Sequence, residues 1–501
     1  MFRAHLTVDP HFTVGPINRR LFGSFVEHLG RCVYDGIYEP SHATADEHGF
    51  RSDVVELVRE LGVSTIRYPG GNFVSGYRWE DGIGPRDERP RRLDLAWHST
   101  ETNEVGLDEF ATWLGKVDSE LMYAVNLGTR GVLEALDVLE YANLPAGTHW
   151  ADRRVANGHA EPHGIRMWCL GNEMDGPWQL GHSTAEEYAQ LAATTAAAMR
   201  QIDPDLELVV CGSSGAQMPT FGEWERIVLE KTYDSVDFIS CHAYYEPKGD
   251  DYGSFLASAV NMDRFIDAVV ATADSVKARL RSDKSINISF DEWNVWYQTR
   301  YQEVDRITDV NSWPVAPRLL EDSYSVLDAV VFGSLMISLI RHADRVTAAS
   351  LAQLVNVIAP IMTEPGGPAW KQTTFHPFSL TSRLARGTAL ELKLDSPTYQ
   401  TQEYGEVSLV DAVATHDEGG TTVFAVNRSL TDEATLEIDT RALGAVAQAE
   451  ATSLHDDDIH AANTLDDRER VSPRPNESVQ IGDGVVTITL PPVSWTVLTL
   501  A

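Results

Sequence analysis

Short apolar runs alternate with amphipathic helical patterns from about residue 20 to about residue 380. Runs such as 165–170 and 286–290 are too short and too rich in β-prone residues for helices, so they predict buried strands. Strands and helices in strict alternation are typical of a parallel α/β architecture. Eight strand candidates can be counted, at residues 21–27, 63–68, 121–126, 165–170, 207–211, 236–241, 286–290 and 348–355.

Helical periodicity fills the segments between these strands, for example at residues 52–61, 107–117, 184–202, 256–280 and 324–342. In the third of these segments, Ser183 can cap the helix, and Glu186 and Glu187 lie near the positive end of its dipole. Eight alternations without a Gly-x-Gly-x-x-Gly turn favour a closed (β/α)8 TIM barrel over a doubly wound nucleotide-binding sheet. We assign this barrel to residues 18–384.

After about residue 385 the helical pattern gives way to short alternating strands, for example at 421–426, 434–438, 485–490 and 494–498. This pattern predicts a C-terminal antiparallel β-sandwich, jelly-roll-like, over residues 385–501. Residues 1–17 also have the pattern of one or two strands. Since they precede the first barrel strand, we expect them to pair with the C-terminal sandwich.

Composition narrows the classes of partner. The chain has 501 residues, with 74 acidic and 40 basic side chains and a formal net charge of -34. Such a charge repels phosphate backbones and anionic membrane surfaces, so we predict neither a nucleic-acid partner nor a membrane partner. Residues 1–10 lack the basic start and unbroken apolar stretch of a signal peptide. We therefore expect a cytoplasmic protein.

Two acidic motifs are the strongest chemical signal in the chain. Glu173, within Gly-Asn-Glu-Met-Asp, follows the fourth strand candidate, and Glu292, within Phe-Asp-Glu-Trp-Asn, follows the seventh. A carboxylate at the C-terminal end of a barrel strand points into the mouth, where barrel enzymes carry out their chemistry. Hydrolysis of a glycoside with retention needs one carboxylic acid and a second carboxylate about 5 Å away. A lone glutamate after a strand is usually a solvated loop residue, but two such motifs at these strands predict a retaining glycosidase.

The longer motifs resemble one family. Residues 168–179 (Trp-Cys-Leu-Gly-Asn-Glu-Met-Asp-Gly-Pro-Trp-Gln), 291–294 (Asp-Glu-Trp-Asn) and 67–72 (Arg-Tyr-Pro-Gly-Gly-Asn) are similar to those of the α-L-arabinofuranosidases of glycoside hydrolase family 51. The resemblance covers nearly the whole chain. It implies Glu173 as general acid/base and Glu292 as nucleophile, acting on terminal arabinofuranosyl residues of arabino-oligosaccharides. It also implies that no cofactor is needed and that the protein is a homo-oligomer, a hexamer.

The same resemblance implies roles for further polar residues. Asn172 corresponds to a residue that binds the sugar 2-hydroxyl, a bond that strengthens as charge develops at the anomeric carbon. Glu27 and Asn72 correspond to residues that bind the furanose hydroxyls. Two of these residues also have a purely structural interpretation. Asn172 could serve simply to shape a turn, and Glu27 could form an ion pair with Arg31 or Arg67.

Aromatic and amide side chains complete the predicted site. The resemblance places Tyr244 near the nucleophile, where a phenol can orient a carboxylate, and it implies a sugar-binding role for Gln353. His242 is at best an indirect contributor. Trp97 and Trp296 are candidate aromatic walls, because the apolar face of a sugar packs on rings, or they are core residues.

Other chemistries find less support. The chain has no His-Glu-x-x-His motif, and Glu27-His28 and Cys241-His242 are isolated pairs, so we predict no metal site. A Gly-x-Ser-x-Gly elbow is also absent. Two alternatives remain open. One is another retaining glycosidase on the same barrel, a β-xylosidase or an endoglucanase, and the other is a non-catalytic carbohydrate-binding protein.

Overall fold

The structure, a computed structural model, describes residues 1–501. Eight parallel strands close into a barrel in chain order, which confirms the predicted fold class. All eight strand candidates contribute one strand each. Their bounds are β1 Gly23–Phe25, β2 Thr65–Tyr68, β3 Glu120–Ala124, β4 Met167–Leu170, β5 Glu207–Val210, β6 Phe238–Tyr245, β7 Asn287–Val295 and β8 Val346–Ala352.

The sixth and seventh strands are longer than their apolar runs predicted. The prediction that Glu292 follows the seventh strand is wrong, since Glu292 lies inside β7. The pairing of β7 with β8 shifts register between Phe290 and Trp293. Such a bulge lets two consecutive side chains face the same side of a sheet. Asp291 and Glu292 accordingly both lie beside the side chain of Arg67, within the barrel.

Helices surround the barrel and connect its strands. The helix predicted from residue 184 begins at Ala185, and its cap is Thr184 rather than Ser183. Thr184 and Glu187 form a reciprocal capping box, which satisfies two backbone N–H groups at once. The helices are Ser52–Leu61, Leu107–Val117, Val132–Asn143, His149–Ala156, Ala185–Ile202, Glu223–Thr232, Tyr252–Leu256, Ala259–Leu280, Val326–Arg341 and Phe375–Leu384, with a short turn at Gln298–Arg300.

One helix joins the barrel to the C-terminal domain. Val326–Arg341 contacts β7 and β8 as well as four strands of the seven-stranded C-terminal sheet, and it is buried on nearly all sides. A helix that is apolar all round is typical of such a position. A Cβ atom at Gly333 would lie only 2.2 Å from the ring of Trp495, so this glycine lets the two domains approach closely.

Two sheets form the C-terminal domain around a separate small apolar core. Both also contain a strand from the N-terminus: Phe2–Thr7 pairs parallel with Ala434–Asp439, and Thr13–Pro16 pairs antiparallel with Thr388–Leu390. The seven-stranded sheet adds Val410–Asp417, Gly420–Asn427, Ser494–Leu500, Ala449–Leu454 and Arg474–Pro475, and the five-stranded sheet adds Lys393–Asp395, Val485–Leu490 and Gln480–Ile481. Short hairpins pair Arg92–Asp94 with Ser99–Glu101, Ile361–Thr363 with Ala369–Lys371, and Thr398–Thr401 with Gly405–Ser408. None of the helices combines the length and apolarity of a membrane span.

Candidate active site

A cavity of about 870 Å³ opens at the C-terminal ends of the barrel strands. This is the end of a barrel at which enzymes of this fold hold their substrates. The structure brings eight of the predicted residues to its wall: Glu27, Asn72, Trp97, Glu173, Tyr244, Glu292, Trp296 and Gln353. Asn172 lies just outside the wall and is only 1% exposed.

Glu292 is held by two strong hydrogen-bond donors. Arg67, on β2, donates from Nη1 to Oε1 of Glu292 at 2.7 Å. Tyr244, on β6, donates from its hydroxyl to Oε2 at 2.6 Å. Burial and the neighbouring Glu292 raise the pKa of Tyr244 well above its usual value, so the phenol keeps the proton that it donates. Both carboxylate oxygens of Glu292 therefore have a fixed partner.

Arg67 also links Glu292 to the residues near the fourth strand. Its Nη2 donates to Oδ1 of Asn172 at 2.6 Å. The amide nitrogen of Asn172 lies 3.3 Å from Oδ1 of Asn72 and 3.4 Å from Oε1 of Gln179. In the sequence, Arg67 is the first residue of the 67–72 motif and a possible partner of Glu27, without a predicted role at the nucleophile. A buried arginine in an apolar strand needs an acidic partner, and that signal could have identified it.

The backbone turns sharply where Glu173 leaves the fourth strand. Gly171 has a φ of 94° and Glu173 a φ of 43°, a left-handed conformation that residues with a side chain adopt only at a cost. The indole nitrogen of Trp178 donates to Oε2 of Glu173 at 2.6 Å. Trp178 is 52% exposed, so this partner of the buried Glu173 extends from the cavity to the protein surface. Trp178 was not among the site residues predicted from the sequence.

His242 lies between three carboxylates, a more central position than the sequence indicated. Its Nδ1 lies 2.9 Å from Oε1 of Glu173, and its Nε2 lies 3.0 Å from Oδ1 of Asp291. Burial opposes a charge on the ring, but Glu292, Asp291 and Glu173 outweigh it and raise the pKa of His242 to about 10. At neutral pH the ring is therefore an imidazolium that can donate from both nitrogens.

The two candidate catalytic carboxylates approach each other closely across His242. One oxygen of Glu173, one ring nitrogen of His242 and one oxygen of Glu292 all lie within 4.8 Å of one another. In retaining glycosidases the two carboxyl groups are about 5–5.5 Å apart, whereas inverting enzymes leave room between them for a water molecule. The close approach of these two oxygens is compatible with the shorter of the two separations.

Glu27 is the centre of a second hydrogen-bond cluster. Its Oε1 accepts from the backbone N–H of Phe73 at 2.8 Å and from the indole of Trp97 at 2.9 Å. Gln353 donates to Oε2 at 3.1 Å and accepts from the Glu27 backbone N–H at 3.2 Å. Burial, only partly offset by these hydrogen bonds, raises the pKa of Glu27 to about 8. At neutral pH the side chain is largely protonated.

The alternative ion pair of Glu27 is not formed. Arg31 pairs instead with Glu321, and Arg67 pairs with Glu292. The Pro-Gly-Gly turn after β2 lies directly against Glu27, because a Cβ at Gly71 would come within 2.9 Å of its Oε2. A glycine at this position is therefore required for the turn to approach the cluster.

Aromatic rings form one side of the cavity. The ring of Trp296 meets that of Tyr244 at a centroid distance of 5.0 Å, nearly perpendicular to it. Tyr301 lies 5.9 Å from Trp296 and 6.0 Å from Trp97. Both tryptophans thus contribute to the cavity wall rather than only to the core. Tyr301 joins them from the short π-helical segment Tyr301–Asp305, which no pattern in the sequence predicted.

The chain matches known protein families and is similar in sequence to known enzymes. The family model described as "Alpha-L-arabinofuranosidase 1 domain" matches residues 57–265, and that described as "Alpha-L-arabinofuranosidase C-terminal domain" matches residues 291–494. An exo-alpha-(1->6)-L-arabinofuranosidase of Bifidobacterium longum is 63% identical over 98% of this chain and 96% of its own. An intracellular exo-alpha-(1->5)-L-arabinofuranosidase of Streptomyces lividans is 62% identical over 99% of this chain and 75% of its own.

Solved structures of two arabinofuranosidases have the same fold. A family 51 alpha-L-arabinofuranosidase from Bifidobacterium longum superposes with a TM-score of 0.95 at 52% identity, over the full length of both chains. An alpha-L-arabinofuranosidase of Thermotoga maritima superposes with a TM-score of 0.87 at 33% identity, over 99% of both chains.

Fold and site together define a glycoside hydrolase built on a parallel barrel with two facing carboxylates. The relatives then fix the family, since their identity extends over nearly the whole chain. This chain belongs to the α-L-arabinofuranosidases of glycoside hydrolase family 51. The resemblance found in the sequence motifs is confirmed.

Proposed function

We propose that this chain is a retaining, exo-acting α-L-arabinofuranosidase that releases terminal arabinofuranosyl residues from arabino-oligosaccharides, with Glu173 as general acid/base and Glu292 as nucleophile. The observation that carries the proposal is the approach of Glu173, His242 and Glu292 to within 4.8 Å of one another. That separation leaves the anomeric carbon within reach of one carboxylate while the other reaches the leaving oxygen.

In the first step Glu292 attacks the anomeric carbon, and the bond to the leaving oxygen breaks as Glu173 protonates that oxygen. Arg67 and Tyr244 donate to the two oxygens of Glu292, so they orient the nucleophile before the substrate binds. The product of this step is a covalent arabinosyl ester of Glu292 and a free alcohol.

In the second step Glu173 acts as a base. It removes a proton from a water molecule, whose oxygen attacks the anomeric carbon and displaces Glu292 as a carboxylate. Trp178 and His242 both donate to Glu173, so they orient its carboxylate for this step. Two displacements restore the original anomeric configuration.

Sugar binding is proposed for the cluster around Glu27 and for the asparagines. Glu27 and Gln353 hold each other, and their oriented polar atoms at the cavity wall can bind furanose hydroxyls. Asn72 and Asn172 lie beside the acid/base, where a hydrogen bond to the 2-hydroxyl strengthens in the transition state. Trp97 and Trp296 supply apolar surface for the sugar ring.

The relatives support the remaining parts of the proposal. Six of them are named exo-acting enzymes, and five of those six are named intracellular. On that basis we propose a cytoplasmic enzyme that acts on oligosaccharide fragments of arabinan or arabinoxylan. From the family resemblance we propose a homohexamer, whose mass can be measured by light scattering.

Product analysis tests the function directly. The purified protein should release arabinose stepwise from linear and branched arabino-oligosaccharides, and proton NMR should show that the first-formed arabinose has the α configuration. In a panel of nitrophenyl glycosides, the α-L-arabinofuranoside should be the preferred substrate. Preference for a β-xyloside, release of internal fragments or an inverted product would each refute the proposal.

A further inference from the structure

Three side chains that can bind a metal meet outside the catalytic cavity. Asp108 lies in the first turn of helix Leu107–Val117, and His159 and His163 lie in the loop that leads to β4. One nitrogen or oxygen atom from each lies within 4.8 Å of the others. None of the three lines the catalytic cavity. The prediction of no metal site overlooked these two histidines, which stand four positions apart in the sequence.

The carboxylate of this trio needs a compensating positive charge. The side chain of Asp108 is only 5% exposed, and its ion-pair partners are the two histidines alone. Nε2 of His163 lies 2.9 Å from one carboxylate oxygen, and Nε2 of His159 lies 4.0 Å from the other. A buried carboxylate requires hydrogen bonds, an opposite charge or a metal ion as its partner. Two neutral imidazoles and a divalent metal ion satisfy that requirement.

Neighbouring groups orient the trio from outside. The hydroxyl of Tyr141 donates to Oδ2 of Asp108, and Asn157 donates to that hydroxyl at 3.0 Å. The backbone N–H of His163 donates to the carbonyl of Ala142 at 2.7 Å. Hydrogen bonds of this kind, one layer outside the ligands, are what fixes the ligands of metal sites.

The geometry suits a small transition metal. Two imidazoles and one carboxylate are a donor set of zinc, whose bonds of about 2.0–2.2 Å place neighbouring ligand atoms roughly 3.3 Å apart in a tetrahedron. The three ligand atoms lie within 4.8 Å of one another, and modest side-chain shifts bring them to that spacing. His159 follows Gly158, which has a φ of 103°, and its ring is 32% exposed without a hydrogen bond. It is therefore the ligand that can move to meet the ion.

We propose that Asp108, His159 and His163 form a binding site for a zinc-like divalent cation, separate from the catalytic centre. Water completes the coordination on the exposed side of His159. The ion connects helix Leu107–Val117 to the loop before β4, so its binding stabilises the outer ring of the barrel without entering the reaction.

Zinc titration of the full chain tests this site. After removal of metals with a chelator, the protein is titrated with zinc chloride by calorimetry, and its thermal midpoint is measured with and without zinc. We expect one bound zinc per chain and a higher midpoint. His159→Ala should weaken binding at least tenfold and remove the rise, while Tyr141→Phe should weaken it about tenfold. His149→Ala, which removes an exposed histidine from the adjacent helix, should change neither.

Two results would overturn the site. One is the absence of zinc binding. The other is equal zinc affinity in the parent and in His159→Ala, which would place the ion elsewhere. Binding at Glu173, His242 and Glu292 would appear as inhibition of hydrolysis that persists in His159→Ala. Because His159 touches no residue of the catalytic cavity, unchanged hydrolysis without zinc shows that this variant is folded.

Discussion

The two carboxylates of the cavity have different kinds of partner. Glu292 is bound by Arg67 and Tyr244, whose charges do not change near neutral pH. Glu173 is bound by His242, which is an imidazolium at neutral pH because its pKa is raised to about 10, and by Trp178, which is half exposed to solvent. Both motifs look alike in the sequence, each a glutamate beside an aspartate and an asparagine.

This difference supports the proposed roles of the two glutamates. A nucleophile must keep its charge and its position, and permanent donors on both oxygens provide that. An acid/base must lose a proton and regain it in each cycle, which requires a route to solvent, and the half-exposed Trp178 lies beside Glu173 on the solvent side. The neighbours of each glutamate, contributed by other strands, therefore distinguish two residues that their own motifs do not.

The largest effect should come from Glu292→Ala. Loss of the nucleophile removes the covalent step, so we expect kcat to fall by at least about 10⁴-fold on every substrate. Sodium azide should not restore a product of retained configuration. Residual activity close to that of the parent would show that another group is the nucleophile and would reverse the comparison.

Glu173→Ala should have a smaller and substrate-dependent effect. For natural oligosaccharides we expect a loss of about 10²–10⁴-fold in kcat/KM, because their leaving groups need protonation. Nitrophenyl substrates should still form the covalent intermediate, whose slow hydrolysis would appear as a burst. Azide should then accelerate turnover and give an arabinosyl azide of retained configuration. Unchanged turnover of the natural substrate would contradict the role of Glu173.

Arg67→Met tests the permanent cation beside the nucleophile. Without it, one oxygen of Glu292 loses its donor inside a buried site, so we expect kcat to fall about 10²-fold. Arg20→Met is the matched control, since Arg20 pairs with Glu120 and Glu207 at the first residues of β3 and β5, away from the cavity. If both variants lost the same activity, the effect of Arg67 would be one of stability alone.

His242→Asn tests the titratable partner through the free energy of unfolding. The pKa of His242 is raised from 6.5 to about 10 in the folded state. The resulting stabilisation is fully present below about pH 6.5 and is lost as the pH rises through about 10. Denaturant titrations should therefore show a decline over this range in the parent and a weaker one in the variant. An equal slope in both proteins would contradict a charged His242.

Glu27→Gln should have the smallest effect on kcat at neutral pH, because a protonated glutamate and a glutamine are similar in shape and hydrogen bonding. The pKa of Glu27 rises from 4.5 to about 8 on folding, so the folded state keeps a proton that the unfolded chain releases. Stability of the parent should fall as the pH increases from about 4.5 to about 8, and the variant should lose part of that fall. Identical pH profiles would show that Glu27 is ionised in the folded protein.

Much of the fold could be predicted from the chain, because each barrel strand is an apolar run too short for a helix. The pattern failed where polar residues lie inside the barrel. β7 continues through Asp291, Glu292 and Asn294, whose side chains bind partners in the interior, so the apolar run ended before the strand did. The cap of helix Ala185–Ile202 was misplaced by one residue, because Ser183 and Thr184 are both good caps and only the chain path selects one.

The sequence by itself determined the barrel, the second β domain, the two glutamates and the family, because local periodicity and contiguous motifs encode them. Only the tertiary structure decided what each glutamate contacts. Arg67 and Glu292 are separated by 225 positions, and His242 and Glu173 by 69. Closing eight strands into a barrel brings such residues within hydrogen-bond distance, and no local pattern records which side chains then become neighbours.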